Sequence, residues 1–174
     1  LAMADAARQR PGSMAAILGL EDEAVENLCR KIIGVWPANY NCPGQIVVSG
    51  EHEAVEECCA EAASLGARRA VILKVSGAFH SPLVVQAGRA LKPAIDRIRF
   101  SDPVKPFMST VTAKIEPAQR LGSLLVDQLT APVRFTQAAG ELMRGGVTTF
   151  VEIGPGSVLS GLVRRIDRGA RTFS

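Results

Sequence analysis

His80 is the residue of this chain best equipped for chemistry. It stands in Ser76-Gly77-Ala78-Phe79-His80-Ser81, directly after an apolar run, Ala70 to Val75, that reads as a strand ending in a turn. An imidazole at the mouth of a strand can take and return protons near neutrality, because its ordinary pKa is about 6.5. Gly77 leaves the backbone free to aim it. A base needs a group to deprotonate, and none is presented. Neither Gly-x-Ser-x-Gly nor another nucleophile elbow occurs in the 174 residues. Taken alone, His80 is either half of a catalytic site or a satisfied structural histidine. His52, at the start of an exposed helix, reads as inert, and two histidines this far apart without further ligands argue against a metal site.

Three other segments carry polar chemistry. Asn39-Tyr40-Asn41-Cys42-Pro43-Gly44-Gln45 is dense in amides beside a turn, where they either satisfy local backbone or line a polar pocket. Gln128, after Leu124-Leu125-Val126-Asp127, reads on its own as a surface residue. Gly154-Pro155-Gly156 lies between a strand and a helix, as a phosphate loop would. A dinucleotide fingerprint, however, needs glycine where Leu159 stands, and a P-loop needs Gly-Lys-Ser/Thr. A structural tight turn remains.

The elements that must position these residues follow from periodicity. Ser13 to Gly19 is of strand length, and Glu21-Asp22-Glu23 opens a helix with acids in its first turn. Val25, Leu28 and Ile32 form that helix's apolar stripe. Val35 to Asn41 and the β-branched Gln45 to Gly50 are strands joined at Cys42-Pro43-Gly44. Glu51 to Ser64 is a second acid-started helix with Gly66 at its end. Arg69 to Val75 closes a β-α-β-β-α-β order, the ferredoxin-like arrangement. Beyond His80 the pattern predicts a helix over Val84–Ile98 disturbed by Pro93, an extended Val104–Thr112 and a helix over Leu121–Leu129. A further helix over Thr136–Arg144, a strand over Thr148–Ile153 and a final helix, Val158–Arg165, capped by Ser157, complete the chain. The fold class is α/β (α+β).

Composition narrows the rest. Apolar residues make up 47% and charged residues 21%, which fits a folded globular chain. A net charge of +3 gives no reason to expect a nucleic-acid partner. Arg164, Arg165, Arg168 and Arg171 cluster near the C-terminus, as a solvated face or a docking patch for an acidic partner. Cys29, Cys42, Cys58 and Cys59 show no CxxC spacing and read as reduced thiols of a cytoplasmic protein. No apolar stretch is long enough to span a membrane. The chain begins without Met and already in helical composition, which suggests a fragment.

Four segments, Asn39 to Gly50, Val75 to Ser81, Gln128-Leu129-Thr130-Ala131-Pro132-Val133 and Val151 to Leu159, resemble malonyl-CoA:acyl carrier protein transacylases in order and spacing. The resemblance runs from about Met14 to Ile166. It implies a ferredoxin-like small subdomain, residues 13–76, inserted in an α/β-hydrolase-like large subdomain. Residues 1–12 would end an upstream helix or linker of the large subdomain, and 77–174 would be its C-terminal portion. In that family a serine attacks malonyl-CoA with a histidine as base, and this histidine matches His80. A glutamine whose backbone carbonyl holds the other ring nitrogen matches Gln128.

The same resemblance makes Phe79, Asn39 and Asn41 substrate-binding candidates. It implies no metal and no cofactor beyond the substrate, malonyl-CoA. Implied partners are acyl carrier protein and an N-terminal part of the same protein that would bring the serine, the oxyanion donors and a carboxylate-binding arginine. Thr110 departs from the family pattern, which commonly has Asn there. The expectation is thus a malonyltransferase of fatty acid biosynthesis, and two alternatives stand beside it: a freestanding acyltransferase serving a polyketide synthase, and a non-catalytic ferredoxin-like interaction module.

Overall fold

Acid-started amphipathic segments become helices, and β-branched runs become strands. The computed structural model describes residues 2–174. Helix α1 (Ala2–Gln9) leads into β1 (Ser13–Leu18), α2 (Asp22–Lys31), β2 (Val35–Cys42), β3 (Gln45–Gly50), α3 (His52–Ser64) and β4 (Arg69–Ile72). A 3-10 turn at Pro82–Val84 then opens α4 (Val85–Ile95). The remainder comprises β5 (Met108–Ser109), β6 (Lys114–Ile115), α5 (Ala118–Asp127), β7 (Val133–Arg134), α6 (Phe135–Arg144), β8 (Thr149–Val151), α7 (Val158–Ile166) and β9 (Arg171–Phe173).

The main sheet runs β4-β1-β3-β2-β7. Its first four strands are antiparallel neighbours in the ferredoxin-like order, and β7 joins β2 in parallel, so the sheet is mixed. Pleating sends alternate residues to opposite faces. On one face Ala15, Ile17, Ile46 and Val48 are fully buried against Val25, Leu28, Val55 and Cys58 of α2 and α3. Each large aliphatic side chain buried there contributes about 1.5–3 kcal/mol. The other face presents Met14, Val47 and Ala38, packed against Leu73 and Phe79. One side of the sheet is therefore closed core, and the other meets the loop that carries His80.

Several elements differ from the sequence pattern. Strand β4 stops at Ile72, and the Leu73 amide still reaches the Met14 carbonyl at 2.8 Å. The extended Val104–Thr112 shrinks to β5, which starts only after Pro106, a residue without a ladder donor. Ala113, with φ 54°, folds the chain back onto β6. Pro93 lies in the last turn of α4, where a missing N–H costs one hydrogen bond, and the helix continues to Ile95. Helix α5 starts at Ala118 and ends at Asp127, leaving Gln128 and Leu129 beyond it.

Gly50 closes the small-sheet geometry. It opposes Ser13 on one side and Val35 on the other. A Cβ there would stand 2.1 Å from the Gly34 carbonyl oxygen and 2.7 Å from Val35 Cα, both backbone atoms that cannot move aside. Gly50→Ala is therefore expected to destabilise the complete protein by at least about 2 kcal/mol, within the range of overpacked cores. A thermal midpoint unchanged from the parent would refute this close approach.

Candidate active site

The loop from β4 to the 3-10 turn delivers His80 with φ 58°, a left-handed backbone rare for a residue with a side chain. Two contacts hold it. Its backbone N–H donates to the Leu129 carbonyl at 3.1 Å. Its ring Nδ1 lies 2.8 Å from the Gln128 carbonyl oxygen. A carbonyl only accepts, so Nδ1 carries the proton, and Nε2 of the neutral ring is left with its lone pair.

Those carbonyls are free for a local reason. The last carbonyls of any α-helix lack intrahelical donors. Past the end of α5, the amides of Thr130 and Ala131 both turn back to the Asp127 carbonyl, at 3.1 and 2.8 Å. The residue four beyond Gln128 is Pro132, which has no N–H to offer. The orphaned acceptors of Gln128 and Leu129 are thus left for His80.

The imidazole borders a cleft of about 380 Å³ that Phe79, Asn39 and Asn41 line together with Met14 and Val47. Asn39 and Asn41 alternate with Tyr40 along β2, so the two amides share the cleft while Tyr40 turns to the closed face. There its hydroxyl donates to Glu26 at 2.7 Å. Burial, and then this hydrogen bond, push the phenol above its ordinary range. Register shifts in the β2–β3 pairing fall between Pro37 and Asn39 and between Tyr40 and Cys42. Bulges of this kind re-aim side chains, and the first coincides with a proline that has no ladder donor. Four of the five candidate residues therefore meet in one cleft, and Gln128 joins through its main chain.

The Gln128 side chain goes elsewhere. Its amide nitrogen donates to the Leu125 carbonyl at 3.3 Å, beside a second, larger cavity of about 670 Å³. Thr110 also lines that second cavity, which His80 does not border. His52 sits at the first position of α3, exposed. Among the described residues, no three metal-ligating side chains converge.

Two contacts were illegible in the chain. Arg165 donates through Nη1 to Gln45 Oε1 and through Nη2 to the Pro43 carbonyl, tying α7 to the β2–β3 turn. It is thus more than a solvated charge, and no local signal paired positions so far apart. The second contact corrects the cap of α7: the Ser157 side chain makes no capping bond. The Glu152 carboxylate accepts from the amides of Leu159 at 3.1 Å and Ser160 at 2.8 Å. The Gly154-Pro155-Gly156 turn folds this carboxylate onto the helix start, where a phosphate would otherwise sit.

A tethered imidazole in a cleft beside a ferredoxin-like sheet defines the class. Residues 2–171 match the acyl transferase domain family, and the chain belongs to it. Among curated relatives, the malonyl CoA-acyl carrier protein transacylase of Bacillus subtilis is 43% identical over 168 residues, covering 94% of this chain and 53% of the relative. The Staphylococcus aureus (strain MRSA252) protein of the same name is 40% identical, covering 99% of this chain and 58% of its own length.

Two solved structures superpose closely. The transacylase (MCAT) of Streptococcus pneumoniae gives a TM-score of 0.94 at 37% identity, over 99% of this chain and 58% of the other. A malonyl-transacylase in complex with its type II PKS acyl-carrier protein gives 0.95 at 36%, with the same coverage. The chain spans little more than half the length of these relatives.

The Glu152 cap has a pH signature. The Ser160 amide first, and the Leu159 amide with it, hold this carboxyl below its usual range. A depressed folded pKa means the cap stabilises α7 above the unfolded value, about 4.3 for Glu, and is lost as pH falls through the lower folded value. Protection of the Leu159 and Ser160 amides, taken against their intrinsic exchange rate at each pH, should fall in that acidic window and, in Glu152→Ala, at neutral pH also. Equal protection in parent and variant at pH 7 would contradict the cap.

Proposed function

We propose that this chain is the base-bearing part of a malonyl-CoA:acyl carrier protein transacylase, with the serine nucleophile brought by polypeptide outside these residues. One observation carries the reading: Nδ1 is held by a main-chain carbonyl while the ring borders a cleft. In the reaction, the serine Oγ attacks the malonyl thioester carbonyl as its proton passes to His80 Nε2. Collapse of the tetrahedral adduct breaks the C–S bond, and His80 returns the proton to the departing CoA thiolate. The phosphopantetheine thiol of acyl carrier protein then takes the malonyl group by the same steps in reverse. No cofactor enters the scheme, since thioester and serine carry the acyl group throughout.

A triad carboxylate serves to fix the tautomer and steady the imidazolium. Here the Gln128 carbonyl fixes the tautomer, as a peptide acceptor just past the end of α5. Phe79 crowds the acyl α-carbon and disfavours a methyl branch, a discrimination of about 10–200-fold. Asn39 and Asn41 give the cleft polar partners for the substrate. Four free cysteines suit a cytoplasmic setting, and no described helix is long and apolar enough to cross a membrane.

Exposed apolar residues favour this reading over an isolated interaction module. Ile153 is 95% exposed, and Val151, Val158 and Phe173, of the adjoining β8, α7 and β9, are largely so. Such surface in a globular protein marks a site of packing, here against the serine-bearing part. The likeness to a malonyl-transacylase bound to a type II PKS carrier protein keeps the carrier open. Relative rates with fatty-acid and polyketide carrier proteins decide it.

In the complete enzyme, His80→Ala is expected to lower malonyl transfer to holo carrier protein by at least about 10³-fold. Gln128→Ala, which leaves the acceptor carbonyl in place, should stay within about threefold because only the main chain touches the ring. Unaltered turnover in His80→Ala would end the proposal.

A further inference from the structure

Ser81 is 0% exposed, and no step above uses it. The residue before a proline favours extended backbone, and Ser81, preceding Pro82, has φ −136° and ψ 165°. From there its hydroxyl donates to the Ala78 carbonyl at 2.6 Å and accepts from the Leu83 amide at 3.3 Å. These two bonds close the loop on either side of Phe79 and His80. Inside that loop His80 keeps φ 58°, a conformation a side-chain-bearing residue abandons unless its surroundings enforce it. The loop is also held from outside, since Ala78 is 0% exposed and a Cβ on Gly77 would stand 2.6 Å from Ala7 Cβ.

We propose that Ser81 is a positioning residue: its hydroxyl locks the left-handed turn at His80 and thereby keeps Nδ1 on the Gln128 carbonyl. Were the hydroxyl removed, the buried Ala78 carbonyl would lose this donor and the Leu83 amide its acceptor. His80 could then relax toward negative φ, which swings the imidazole away from Gln128. Misplacing a catalytic group by about 1 Å can cost on the order of 10²-fold in rate. The kinetic consequence rests on the acyl-transfer reading; the effect on the ring does not.

The test uses the complete enzyme with Ser81→Ala, Ser81→Cys, a hydroxyl-retaining Ser81→Thr and His80→Ala. Side-chain nitrogen NMR of the neutral imidazole, assigned by the signals that His80→Ala removes, reads the tautomer. Turnover is normalised to the number of serines acylated at completion, which counts competent sites whatever their speed. The parent ring should be protonated at Nδ1 alone, and Ser81→Ala should mix the two tautomers. Its kcat per acylatable site should fall by about 10–100-fold with KM for malonyl-CoA within about threefold, the signature of a misaimed group. Ser81→Cys, a weaker donor, should fall between, and Ser81→Thr should restore the parent tautomer.

A parent-like tautomer and turnover in Ser81→Ala would overturn the inference. So would a loss of acylatable sites with unchanged turnover per site, or failure of both the Ala and Cys variants to fold, since Ser81 would then serve the fold alone. Undiminished turnover in His80→Ala would instead sink the acyl-transfer reading and leave the tautomer result standing.

Discussion

A single hydrogen bond, from His80 Nδ1 to the Gln128 carbonyl at 2.8 Å, organises this structure. Imidazole has two nitrogens of similar basicity, and only a fixed partner decides which one keeps the proton. The partner here is a peptide carbonyl, which cannot be protonated in place of the ring and cannot rotate away as a side chain can. Its availability comes from a helix that stops at Asp127 and a proline at 132 that withholds the next amide. The specificity of the arrangement is therefore written into backbone geometry.

The rest of the chain keeps that contact in register. The four antiparallel strands bury one face under two helices and turn the other toward the loop carrying His80. Phe79 bridges two apolar clusters, one with Met14, Ala38 and Val47, the other with Ala6, Val84 and Ala87. The loop is consequently wedged between the sheet and the α1–α4 pair. Strand β7 extends the sheet immediately after Pro132, so the segment bearing the acceptor carbonyls is anchored at both ends. Arg165 adds a tie from α7 to the β2–β3 turn. Interdigitation of these parts leaves little freedom for the ring to wander.

Much of this was legible in the residues. The ferredoxin-like order followed from acidic helix starts and β-branched runs, because each sheet residue and each helix stripe obeys its own period. His80 stood out by type and by its place after a strand. Gln128 did not: a main-chain acceptor leaves no mark on the side chain, and the resemblance to a known family supplied it. The proline four residues later was the available local signal. Short strands such as β6 and β7 escaped because two residues carry no periodicity. The capping role of Glu152 and the reach of Arg165 to Gln45 also escaped, since both depend on tertiary turns that propensity does not encode.

The contact itself can be observed in solution. In the complete protein, with nitrogen-15 in histidine and carbon-13 at the glutamine carbonyl, a scalar coupling across the hydrogen bond should link His80 Nδ1 to the Gln128 carbonyl carbon. The account predicts that coupling. A visible Nδ1 proton with no coupling to Gln128 would contradict it.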